Sequence, residues 1–118
     1  MPVTREAAKS IALTRVFAGR ETDFETFVTQ VLVPAIHQAR PHTTGLWQLL
    51  RPASDQDGDG SVYVFVFYGD VPDADWELDT LFAAVHGEQE GRRLMQRFDD
   101  MVVGDQEVYE FAGEVAAS

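Results

Sequence analysis

Alternation is the first pattern to emerge along the chain. In residues 10–20, SIALTRVFAGR, Ile11, Leu13 and Phe17 fall on one side and Ala12, Val16 and Ala18 on the other. A period of two predicts a strand, here with apolar side chains on both faces. The pattern then changes. In ETDFETFVTQVLVPAIHQA, Phe24, Phe27, Val28, Val31, Leu32, Ala35 and Ile36 recur at helical spacing. Thr22 and Glu25 form a Thr-x-x-Glu capping box at its start. Pro34 lies inside the pattern, lacks a backbone donor, and is expected to kink or break the helix.

Two further strands follow, TTGLWQLLR and SVYVFVFYGD, joined by an aspartate-rich stretch. In the second, Val62, Val64 and Val66 alternate with Tyr63, Phe65 and Phe67. Neither side is polar, which marks a central strand buried on both faces. Residues 76–103 look like one long helix until the phase is followed. Leu78, Leu81, Phe82 and Val85 share one stripe; Gly91, Leu94, Met95, Phe98, Met101 and Val102 share another. At about 100° per residue the stripes point roughly 200° apart, so one straight helix cannot bury both on one sheet. The break is expected at His86-Gly87, with Gly87 as the cap. Glu88 and Glu90 then open a new helix and Arg92, Arg93 and Arg97 follow, the order its dipole prefers. QEVYEFAGEV alternates as a last strand.

The order β-α-β-β-α-β predicts an α+β, ferredoxin-like domain with a four-stranded antiparallel sheet. Residues 1–9 are polar and expected to fray, and residues 10–115 form the single domain. Helices in this arrangement cover one sheet face, yet residues 62–68 are apolar on both. A second copy is the simplest cover for the other face, and each buried side chain there is worth roughly 1.5–3 kcal/mol. A homodimer with sheets face to face is therefore expected.

Charge and composition narrow the partners. Nine basic residues against twenty acidic ones leave a formal charge of −11, which repels phosphate backbones and anionic lipid. Neither nucleic acid nor membrane is an expected partner. The longest apolar run is far too short to span a bilayer, and MPVTREAAKS has no apolar core of a signal peptide. Without cysteine there is no disulfide or thiolate metal site, which fits a cytoplasmic location. The stretch SDQDGDGS resembles the start of a calcium loop, with Asp55, Asp57, Asp59 and Gly60 in the first, third, fifth and sixth places. The twelfth place is then Val66, where calcium coordination needs a bidentate Glu. A polar hairpin turn is the better reading.

Element order and size together resemble the dimeric α/β-barrel superfamily, in particular its antibiotic-biosynthesis-monooxygenase-like proteins. FVTQVLVPAIHQARPHTTGLWQLLR is similar to the family's helix, proline and following strand. SVYVFVFYGD matches the return strand, and Trp76 with LFAAVH the second helical segment. The resemblance implies a small-molecule enzyme, one that oxygenates or cyclises an aromatic, polyketide-like compound without metal, flavin or other cofactor. A non-catalytic, ligand-binding or stress-associated dimer is the alternative. In the oxygenases a flat phenol lies between sheet and helices. Carried over, His86 would be the base and Arg15 the anion stabiliser, with Trp47, Tyr63, Phe65, Phe67 and Trp76 around the ring system. In the haem-degrading branch, Trp76 would pack on a porphyrin and His86 bind iron. That branch also needs an Asn on the first strand, and this chain has none. Each residue also has a plainer role. His86 suits a helix C-terminus. Arg15, expected near-buried on a central strand, could pair with Glu107 or Glu110. His37 is expected at a helix rim and His42 in a loop, and no pair of histidines has metal-binding spacing.

Overall fold

The computed structural model describes residues 8–53, 60–69 and 71–112. The aspartates of the candidate calcium loop, Asp55, Asp57 and Asp59, lie outside the described residues. Four strands form one antiparallel sheet: β1 (Ala8–Val16), β2 (Trp47–Leu50), β3 (Ser61–Tyr68) and β4 (Glu107–Glu110). Their order is β2-β3-β1-β4, an α+β architecture compatible with a ferredoxin-like fold. β1 starts at Ala8, two residues before the sequence pattern placed it.

Register fixes which side chains share a face. Ala12 stands opposite Phe65 and Val108, and Thr14 opposite Tyr63. Ala12, Thr14, Val16, Tyr63 and Phe65 are buried, so this is the face the helices cover. The other face carries Ile11 and Leu13 of β1, Val62, Val64 and Val66 of β3, Leu50 of β2 and Tyr109 of β4. Leu50 and Tyr109 are 46% and 48% exposed there. No helix lies on that face among the described residues.

The helical face is assembled from α1 (Glu21–Phe27), a wide π-turn (Val28–Leu32), α2 (Val33–Ala39), α3 (Leu78–His86) and α4 (Glu88–Met101). Phe24, Phe27, Leu32, Leu81, Phe82 and Phe98 are almost wholly buried against the sheet. Their rings interlock, Phe24 with Tyr63 at 4.8 Å and Phe27 with Phe82 at 5.8 Å between centroids. Pro34 neither breaks nor ends the run. It sits in the first turn of α2, where a missing N–H is tolerated, and the π-turn before it takes up the altered bonding. The expected break near His86 is present: Gly87 caps α3 with φ 87° and starts α4.

Two local expectations are corrected. The Thr22–Glu25 capping box does not form. The helix begins at Glu21, with no side-chain cap bond from Arg20. Instead Gly19 N–H donates to Glu21 Oε1 at 2.7 Å, and Glu25 turns toward β3. Arg15 is exposed, not near-buried. Its neighbours Thr14 and Val16 point at the helices, so Arg15 points to the open face, where strand centrality brings no burial. It forms no ion pair with Glu107 or Glu110. Its carbonyl accepts from Val103 N–H at 2.7 Å, tying the end of α4 to the sheet.

Candidate functional site

The sheet and its helices part at one corner. Val108 shares the helix-facing side with Ala12, yet it is 61% exposed. The helices therefore stop short of β4. Beneath them a cleft of about 330 Å³ opens between sheet, α2 and the start of α3. That volume is at the low end of small-molecule pockets, roughly 300–1,000 Å³.

The floor of the cleft is aromatic. β2 and β3 set Trp47 opposite Phe67, with Phe65 two places along. A short turn, Asp73–Trp76, brings Trp76 over Phe67. Centroid separations are 6.2 Å for Trp47–Phe65, 6.3 Å for Phe65–Phe67 and 4.7 Å for Phe67–Trp76. Phe65 and Phe67 lie nearly parallel, 8° between planes. Four rings thus form a continuous row, and Leu32, Ile36, Leu78 and Leu81 close the apolar wall.

The polar rim comes from residues distant in sequence. Arg40 ends α2 and reaches across the turn. Its Nη1 donates to the carbonyls of Asp75 (2.7 Å) and Glu77 (2.8 Å), and its Nη2 to Thr80 Oγ1 (2.8 Å). These bonds pin the turn carrying Trp76 to the end of α2. Beside them His42 Nε2 lies 2.8 Å from Asp75 Oδ2. On the sheet side, Gln106 Nε2 donates to the buried Thr14 hydroxyl at 2.6 Å, and Ser10 and Glu110 complete the rim.

Trp47, Phe65, Phe67 and Trp76, read from the sequence as ligand-contacting, all line this cleft. Tyr63 does not. It is buried at the far end of β3, where its hydroxyl donates to Glu25 Oε2 at 2.6 Å. Burial first, and that bond second, push its phenol well above its ordinary value. Arg51 holds the same carboxylate through Nε at 3.1 Å and through Nη2. The bonds from Arg51 and Tyr63 keep Glu25 below the usual carboxylate range. A second groove runs past Glu25, Arg51 and Tyr63, but these groups satisfy one another.

His86 and Arg15 are not brought together. His86 is exposed at the end of α3, Arg15 is on the opposite sheet face, and neither lines the cleft. Trp76 is in the cleft without His86 beside it. His37 is exposed on α2, and His42 lies on a short 3-10 turn, Pro41–Thr43. Sequence reasoning missed Arg40 and Asp75, whose partners are 33 to 40 residues away in the chain. Among the described residues no cluster of three or more His, Asp or Glu side chains is placed to hold a metal ion. No helix among them is long and apolar enough to cross a membrane.

Fold and site together define an α+β domain with an aromatic cleft between its sheet and helices. No family model, no curated protein and no solved structure matches the chain.

Proposed function

We propose that the protein binds a small, flat aromatic molecule in this cleft, as a homodimer of the dimeric α/β-barrel type. The observation that carries the reading is the row Trp47, Phe65, Phe67 and Trp76 along one apolar cavity. Apolar walls with a few convergent polar groups are the usual make-up of a ligand site, and flat rings offer offset stacking to a flat guest. The open sheet face, with its rows of aliphatic side chains, supports the dimer.

The chain holds two tryptophans, and both line the cleft. Intrinsic fluorescence therefore reports on this site directly. Polycyclic aromatics, neutral and of either charge, are expected to quench it saturably, and Trp76→Ala to weaken binding about tenfold, as loss of a stacked ring does. Unchanged emission across the whole set would exclude a ligand site here.

Cofactor-free oxygenation or cyclisation of the bound compound is a second reading, favoured by the His42–Asp75 pair. A carboxylate in the cleft wall, held by an imidazole, can accept a proton from a ring substituent. Oxygen uptake that vanishes in Asp75→Asn while quenching persists would separate turnover from binding. No uptake and, since cyclisation consumes no oxygen, no altered product recovered from any quenching compound would leave binding alone.

A further inference from the structure

The rim of the cleft carries information that its rings do not. Three acidic residues line it, Asp75, Glu77 and Glu110, against one arginine, Arg40. Arg40 spends both Nη atoms on the carbonyls of Asp75 and Glu77 and on Thr80. Gln106 donates one amide N–H to Thr14; its second N–H and its carbonyl oxygen are neutral and favour neither charge. Asp75 is occupied by His42. Glu77 and Glu110 have no ion-pair partner among the described residues. Arg40 keeps its positive charge, because its partners are neutral oxygens, so the balance around the cavity is three acidic residues against one arginine.

The floor points the same way. Aromatic faces carry the negative part of the ring quadrupole and attract cations, Trp most strongly. Trp47 and Trp76 stand at the two ends of the ring row. An anion entering here would lose its water, meet an excess of acidic residues and lie against electron-rich rings. The net charge of −11 slows its approach as well.

We infer that the cleft selects a flat aromatic cation, a protonated heteroaromatic amine, over an aromatic carboxylate or phenolate of the same size. The inference rests on the reading of the cleft as a ligand site and narrows it to one charge class. It reverses the chemistry that an arginine-stabilised oxyanion would need.

Aminoacridine and anthracene carboxylate are three-ring probes of similar shape and opposite charge. Calorimetric titration of the full chain with each, at equal salt, is the test. Aminoacridine is expected to bind at one site per chain and at least about tenfold more tightly. Glu110→Gln, on the exposed strand β4, is expected to weaken it about fivefold, and Trp76→Ala to weaken it further. Equal or tighter binding of anthracene carboxylate would overturn the charge selection and leave the ligand cleft standing. Aminoacridine binding at several sites per chain, indifferent to Trp76→Ala and Glu110→Gln, would be general attraction to an acidic surface and would overturn it too. Binding of neither probe would overturn the charge selection, and the cleft reading would go with it only if neutral anthracene fails to bind as well.

Discussion

Glu25 stands where three elements meet. α1 carries it, Tyr63 of β3 donates to it, and Arg51, just beyond β2, grips it from the side. Because these donors favour the ionised carboxylate, its folded pKa lies below its unfolded one. Such a group adds stability above the unfolded pKa, about 4.3, and loses it as pH falls through the folded value. Glu21 is shifted the same way, chiefly by backbone hydrogen bonding and then by Ser61. Glu25→Gln is therefore expected to lower stability at neutral pH, with the gap to the parent closing as pH drops below about 4. Urea melts at stepped pH check it, and a gap independent of pH would show that ionisation of Glu25 is irrelevant. The Thr-x-x-Glu spacing gave Glu25 a local task. The structure gives it a tertiary one, since two donors outcompete one backbone N–H, and no local spacing announces partners 26 and 38 residues away.

α3 and α4 show how much an element's neighbours decide. Gly91 lies in the first turns of α4, where Ala would improve helix propensity by about 1 kcal/mol. Yet a Cβ at Gly91 would stand 2.8 Å from Ala83 N and 3.0 Å from Ala83 Cα, both backbone atoms of α3. Backbone cannot rotate away, so the helices would have to separate. Gly91→Ala is expected to cost about 1–3 kcal/mol net, as overpacking does, and to lower the thermal midpoint. A raised midpoint would mean that the helices yield freely. The break before α4 was legible because Leu78 and Phe98, roughly 200° apart at about 100° per residue, could not both reach one sheet from a single rod. Strand order was legible for a similar reason, since residues 62–68 could sit only at the centre. The cleft was half legible. Trp47, Phe65, Phe67 and Trp76 stand out as rings, but Arg40, Asp75 and Glu110 meet them only after two crossovers. Arg15 was misjudged because being central in a sheet and being covered are different properties when helices lie on one side.

At the scale of the whole molecule, two terms oppose each other in the expected dimer. The open face offers Leu13, Val64 and Leu50 in one row across three strands, with Ile11 and Val66 in the next. Val66 is already buried and Ile11, Leu13 and Val64 are half-buried. Pairing therefore adds at most a fraction of the roughly 1.5–3 kcal/mol of full burial at each of those three, and adds most at Leu50, which still favours pairing. Against it stand two chains each of charge −11, whose repulsion is long-ranged at low salt and fades as the Debye length falls to about 8 Å at 0.15 M. The dimer held by this face is therefore expected to strengthen as salt rises, the opposite of an association driven by ion pairs. Leu50→Lys separates the terms. Leu50 is already 46% exposed, so the fold should tolerate lysine there, and the added positive charge eases the repulsion. If the dimer is nonetheless lost, desolvation of the ammonium in an apolar contact is responsible, and the face is located. Light scattering across a salt series provides the measurement. A parent that stays at 13.2 kDa in every buffer would rule out sheet-face pairing. A Leu50→Lys variant that pairs more tightly than the parent would place the contact elsewhere.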